Sequence, residues 1–125
     1  MQRPVHAVLR PRFVYFLVLL SGLMLSAWRA EPSSPTPIIV NTFVDSKSND
    51  GSCSLREAVI AANTDSPSGS KPGECRAGSG ADVIEIPAGT YTLTRTDSGK
   101  EDSSSTGDLD VRGSVRIAAR PGERV

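Results

Sequence analysis

The alternation of apolar and polar positions predicts one short helix in the middle of the chain. Apolar residues recur at intervals of three, four and seven between Leu55 and Ala62, which is the stripe expected for one face of an amphipathic helix. A helix of this length does not persist alone in water, so the stripe must pack against other apolar residues. The predicted packing face consists of Leu55, Ala58, Val59 and Ala62.

The residues around this stripe supply start and stop signals for the helix. Ser54 is followed three positions later by Glu57, the spacing of a capping box, and Asn63 is a plausible end because asparagine tolerates the left-handed conformation. Arg56 and Glu57 lie off the stripe. We interpret Glu57 as a helix cap rather than half of a catalytic ion pair, and we expect Arg56 to reach solvent or a loop carboxylate.

Short runs rich in β-branched and aromatic residues predict strands on both sides of the helix. Glycine-containing turns separate the later runs, and their apolar clusters repeat at about 25 residues, which favours coils of a parallel β-helix. The alternative is a small β-sandwich with one helix. An open β-helix needs its apolar end and strand edge covered, and a short amphipathic helix can do this. The predicted strands are 38–44, 82–87, 90–94, 108–111 and 114–118.

The first 30 residues resemble a secretory signal peptide. Three arginines precede an uncharged apolar run from Phe13 to Trp28, and this run is short for a membrane span of about 20 residues. Cleavage is predicted after Ala27 or Ala30, and an uncleaved N-terminal anchor is the alternative. Residues 31–37 contain three prolines and predict an extended linker to a module at 38–125.

Charge and histidine content restrict the chemistry of the exported part. Residues 1–30 contain four of the 14 basic residues and none of the 14 acidic ones, so the remainder has ten basic residues and a net charge of −4. The remainder has no basic patch of the kind that would indicate nucleic-acid binding. The only histidine, His6, lies in the signal segment, which excludes Ser-His-Asp, Cys-His and histidine-zinc sites from the mature chain. We therefore expect no enzymatic activity, no cofactor and a monomer that meets the membrane only through its signal segment.

Both cysteines lie in the predicted exported part. An even number of cysteines in a secreted chain favours a disulfide, and a bond from Cys53 to Cys75 would stabilise the fold by roughly 3 kcal/mol on the chain-entropy view. In a reducing compartment the two thiols would instead remain free. Their spacing excludes a catalytic CxxC motif.

Two acidic segments are candidate calcium sites. The loop beginning at Asp45 and containing Asp50 lacks the ligand positions of an EF-hand and leaves only an irregular site. The second segment is an acidic loop that could equally be a solvated turn. Its carboxylates are those of Glu101, Asp102, Asp108 and Asp110.

The stretch CSLREA at 53–58 resembles the signature of the CSLREA domain family. The flanking stretches VNTFVD at 40–45 and NDGSCSLREAVIAANT at 49–64 are similar to that family in the same order, and the resemblance spans roughly residues 38–118. It continues through Cys75, DVIEIPAGTYTLT at 82–94 and EDSSSTGDLDV at 101–111.

The resemblance implies an N-terminal module of exported bacterial proteins, followed by right-handed parallel β-helix repeats on a secreted or cell-surface chain. We accordingly predict a mainly β fold: the cap and first coils of such a β-helix, with one capping helix. The expected role is structural, in adhesion or display, with a glycan or protein ligand left open. A chain ending near Val125 would then be a fragment. The alternatives are the start of a carbohydrate-active lyase or hydrolase and a small disulfide-bonded inhibitor domain.

Overall fold

The computed structural model of the protein describes residues 34–97 and 99–124. The predicted signal segment and the first residues of the linker lie outside the described part. A three-stranded parallel sheet, in the order β1-β2-β3, is accompanied by one helix that contacts β1 and β2. The elements in chain order are β1 (Ile38–Ile39), α1 (Leu55–Thr64), β2 (Ala81–Ile86) and β3 (Ser114–Ala119).

One row of isoleucines crosses the sheet. Ile38 is paired with Ile84, and Ile84 is paired with Ile117. The first two are 1% and 0% exposed, whereas Ile117 is 46% exposed. The row is therefore buried at β1 and β2 and opens to solvent at β3.

The strand content agrees with the predicted mainly β class, but three details of the prediction were wrong. The strand predicted at 38–44 is limited to Ile38–Ile39, and residues 90–94 and 108–111 form no strand. Paired residues are separated by 46 positions between β1 and β2 and by 33 between β2 and β3, not by about 25. The spacing was underestimated because both long polar loops belong to the connections between paired strands.

The helix begins where the sequence predicted and ends slightly later. Ser54 is the N-cap, and the helix continues through Asn63 to Thr64 before Asp65 adopts the left-handed conformation at φ 50°. The predicted end at Asn63 was therefore one residue early, because the left-handed conformation is adopted by Asp65. Ala58, Val59 and Ala62 of the predicted face are buried, and Leu55 packs on the core while partly exposed.

The two edges of the sheet differ. Beyond β1, the Asn41 amide donates to the Cys53 carbonyl at 3.0 Å, and the Cys53 amide donates to the Asn41 side-chain oxygen at 2.7 Å. These bonds place the segment before α1 along the chain that leaves β1. In the described part of the chain, β3 has β2 as its one strand neighbour. The segment before α1 therefore covers the chain just beyond β1, whereas the far side of β3 has no strand partner among the described residues.

Within residues 34–97 and 99–124, no helix is both long enough and apolar enough to cross a bilayer.

Candidate functional site

The most elaborate polar site in the described residues surrounds Arg56. This side chain is 0% exposed although it belongs to a ten-residue helix on a small domain. Its neighbours Ala58 and Val59 face the core, and the same burial extends around the helix to Arg56 itself. Burying an ionised group is costly unless it is paired and fully hydrogen-bonded, so its partners determine what the site can do.

Five hydrogen bonds surround the guanidinium of Arg56. Its Nε donates to Asp45 Oδ1 at 2.6 Å and its Nη2 donates to Asp45 Oδ2 at 3.2 Å, a bidentate ion pair. The remaining bonds go to the main-chain carbonyls of Ser104, Gly107 and Asp108, at 2.8, 2.8 and 3.2 Å. A guanidinium has five N–H groups, so the number of bonds matches the number of donors.

Asp45 connects Arg56 to a further loop. Its Oδ2 also accepts from the main-chain amides of Thr94 and Arg95, at 2.7 and 3.0 Å, and its side chain is 2% exposed. Burial raises the pKa of this carboxyl, but the hydrogen bonds from Arg56, Arg95 and Thr94 outweigh it and lower the pKa of Asp45 below 3.8. The carboxylate form is therefore part of the folded structure.

The loop that supplies the three carbonyls is held by its own side chains. Ser104 is fully buried at φ 58°, an uncommon conformation for a residue other than glycine. Its amide donates to Asp110 Oδ2 at 3.2 Å, and the Asp110 amide donates to Ser104 Oγ at 2.8 Å. This reciprocal pair holds the Ser104 carbonyl toward Arg56.

Glu101 organises the other side of the same loop. Its carboxylate accepts from the main-chain amides of Ser103, Ser105 and Thr106, at 2.9, 3.2 and 2.8 Å. The hydroxyl of Ser103 is the largest influence on its pKa, followed by the Thr106 amide, and together with the remaining bonds they lower the pKa of Glu101 from 4.5 to about 2. The negative charge of Glu101 is therefore stabilised by hydrogen bonds from residues of its own loop.

The capping box at the start of α1 is present in full. Ser54 Oγ accepts from the Glu57 amide at 3.1 Å, and Glu57 Oε2 accepts from the Ser54 amide at 2.9 Å. The other Glu57 oxygen accepts from the Ser48 amide at 2.7 Å. Glu57 is only 2% exposed, so this carboxylate links the helix start to the preceding loop as well as capping the helix.

A disulfide joins Cys53 to Cys75, as predicted, and both residues are buried. Beside it, Gly51 at φ 90° and Gly73 at φ 98° lie in close main-chain contact, and a Cβ on Gly73 would overlap the Gly51 carbonyl. Glu74 joins the same two segments, accepting from the Gly51 amide at 2.7 Å. Glycine is thus favoured at position 51 by its positive φ and required at position 73 by the close approach of the Gly51 carbonyl as well.

Four of the six acidic residues proposed as calcium ligands bind other groups of the protein through their side chains. Asp45 binds Arg56, the Asp50 side chain accepts from the Ser52 amide, and Glu101 binds its own loop. Asp108 contributes its main-chain carbonyl to Arg56, and Asp110 binds Ser104. Within 34–97 and 99–124, no three acidic, cysteine or histidine side chains gather in a way that could hold a metal ion.

The Arg56 network as a whole could not be predicted from the sequence. Arg56 was expected to reach solvent or a loop carboxylate; it does meet the carboxylate of Asp45, but it is fully buried. Its three carbonyl partners lie 48 to 52 positions further along the chain in a segment without regular structure. The pattern of side chains along a helix does not show which main-chain carbonyls will bind it. The one feature of the sequence that hinted at the network was a charged residue, Arg56, within a short helix rich in alanine.

The chain was compared with family models, curated proteins and solved structures. None of the three comparisons gave a match.

Proposed function

We propose that this protein is the N-terminal cap module of an exported parallel β-solenoid, of the type found in the CSLREA domain family, and that its role is structural. The observation that carries this proposal is the unequal closure of the sheet. The row through Ile38 and Ile84 is buried, but its third member, Ile117, is 46% exposed on an edge strand. A further parallel strand beside β3 would extend the row and cover Ile117.

The covered edge supports the same role. The segment before α1 is hydrogen-bonded to Asn41, and the disulfide holds that segment to residue 75. A solenoid needs a terminal unit that hides its strand edge and its apolar end from solvent. The helix packs on β1 and β2, and the disulfide-bonded segment follows the chain just beyond β1, whereas β3 is left for pairing.

The Arg56 network supports a structural rather than a catalytic role. Each donor of the guanidinium is used within the fold, and Asp45 receives four hydrogen bonds from Arg56, Thr94 and Arg95. A group engaged in this way fixes loops relative to one another. We propose that the network sets the shape of the first full coil, and that the whole protein serves display or adhesion at the cell surface.

A fusion experiment tests the cap role. A parallel β-solenoid lacking its own N-terminal cap should aggregate, and joining residues 34–119 ahead of it in strand register should keep it soluble and monomeric. The measurement is sedimentation velocity at several concentrations. The matched control carries Ala61→Asp, which places a carboxylate at a fully buried position of α1 and should abolish the protection. Aggregation of the unaltered fusion, with the module folded, would contradict the proposal.

A further inference from the structure

An unpaired arginine projects from the outward side of the open edge strand. On β3, Val115, Ile117 and Ala119 share the side that is aligned with buried β2 residues, so Arg116 lies on the opposite side. Arg116 is exposed and is aligned with Val83. Among the described residues, no acceptor for its guanidinium is found, and Glu85, its diagonal neighbour on β2, forms no ion pair with it. Arg116 is therefore a cation without an ionic partner on the strand whose outer edge is unpaired.

Charge is segregated along the chain around this edge. Residues 111–124 carry four arginines and one glutamate, a net charge of +3. Residues 34–110 carry six basic and 12 acidic residues, a net charge of −6. The positive segment includes β3, whereas the segments that cover the opposite edge belong to the negative part.

This distribution disfavours pairing between two copies of the protein. Because β1 has only two residues and the segment before α1 runs along the chain just beyond it, the six-residue β3 is the longer edge for strand pairing between copies, and we take such pairing to join β3 to β3. Such a two-fold pair would bring two positive segments together and place Arg116 near its own counterpart, and like charges on neighbouring strands are destabilising. A strand with carboxylates at the corresponding positions would pair with β3 through favourable electrostatic interactions, whereas a second copy of the protein would be repelled.

A related contact already joins neighbouring turns within the protein. The amide of Ala88, just after β2, donates to the carboxylate of Glu123, just after β3, at 2.5 Å. On the same side of the molecule, Arg120 reaches back over β2 to donate to the carbonyl of Val40 at 2.7 Å. Charged side chains from a later turn thus bind the main chain of earlier turns.

We infer that Arg116 is a specificity-determining residue of the β3 edge, which selects a parallel strand carrying a carboxylate opposite Arg116 and apolar residues opposite Val115 and Ile117. This inference rests on the proposed cap function. The strand it selects belongs to the solenoid coil that follows β3. The same positive charge disfavours pairing of β3 with a second copy of the protein, because like charges would meet.

Two synthetic peptides test this selection. The acidic peptide AVEIEI follows the β2 pattern, with apolar residues on the inward side and glutamates on the outward side; the control AVKIKI differs only in charge. Binding to the oxidised protein is followed by fluorescence polarisation, and hydrogen exchange locates it at β3. We expect the acidic peptide to bind at least tenfold more tightly in low salt, and Arg116→Glu to reverse the order.

Controls separate this inference from the cap proposal. Arg76→Glu alters an exposed arginine outside the positive segment and should leave the peptide preference unchanged. Equal binding of both peptides at β3 would overturn charge selection and leave the open edge intact. Failure of both peptides to bind would contradict the open edge as well, and a concentration-dependent dimer protected at β3 would overturn the rejection of a second copy.

Discussion

Arg56 is buried because five oxygen contacts match its five N–H groups. Two of these contacts are with Asp45 and the others are with main-chain carbonyls of one loop. Lysine has the same charge, but its compact ammonium has three donors and cannot reproduce the planar fork. The residue is therefore specified by geometry as well as by charge.

Replacing Arg56 should be strongly destabilising. Arg56→Ala leaves Asp45 and three carbonyls without their partner and should lower the free energy of unfolding by roughly 3–5 kcal/mol. Arg56→Lys should recover only a small part of this loss. Urea denaturation measures both, with Arg76→Lys as the exposed control, for which a change within about 0.5 kcal/mol is expected. A mild Arg56→Lys effect would show that charge alone suffices.

Acid should weaken the loops that surround this arginine. The pKa of Glu101 is about 2 in the folded protein and 4.5 ordinarily, so its contribution is complete above pH 4.5 and is lost as the pH falls toward 2. The lowered pKa of Asp45 acts in the same direction. We expect the free energy of unfolding to fall between about pH 4.5 and 2.

The variant Glu101→Gln tests the assignment of this pH dependence. It removes one titrating group, so its stability should decline less steeply over that range than that of the unaltered protein. Urea denaturation at several pH values gives the comparison. Parallel curves for the two proteins would mean that Glu101 does not contribute.

At the scale of elements, the helix was the most predictable part. Its cap and face follow from residues within a few positions of one another, and Ser54 and Glu57 form the capping box that the sequence predicted. Strands were less predictable because pairing depends on distant residues. Residues 82–87 and 114–118 were placed to within one residue, whereas 90–94 has a similar alternation but no strand partner. The local pattern of apolar residues does not determine which segments pair as strands.

The capping box offers a local test of the helix. Ser54→Ala removes the acceptor of the Glu57 amide and should lower the free energy of unfolding by about 1 kcal/mol. Glu57→Gln keeps the size but replaces one of two accepting oxygens with an N–H donor, so it should cost at least as much. Thermal and urea unfolding measure both. An unaffected Glu57→Gln protein would contradict the double-acceptor role of this side chain.

The disulfide stabilises the same region by a different route. It closes a segment of 22 residues that contains the whole helix, and Cys75→Ser should lower the free energy of unfolding by about 3 kcal/mol. Ser79→Ala in the following loop is a control that leaves the bond intact. Equal melting temperatures for the oxidised protein and Cys75→Ser would contradict the stabilising role of this bond.

For the whole molecule, the isoleucine row permits a matched comparison. Ile84→Val removes a methyl group from a fully buried position and should cost about 0.5–1.5 kcal/mol. Ile117→Val makes the same change on the same row at a half-exposed position and should cost much less. Urea denaturation measures each. If a further strand is paired beside β3, the cost at Ile117 should rise toward that at Ile84, and equal costs without such a strand would contradict an open edge.

The distance in sequence between Arg56 and its carbonyl partners also imposes an order on folding during synthesis. The helix, its cap and the disulfide can form once residue 75 has emerged, but the carbonyls that complete Arg56 belong to residues 104, 107 and 108. Until then the guanidinium has at most Asp45 as a partner. In a nascent chain Arg56 therefore lacks its full set of partners until residue 108 has been made, so completion of the surroundings of α1 depends on a loop synthesised about 50 residues later.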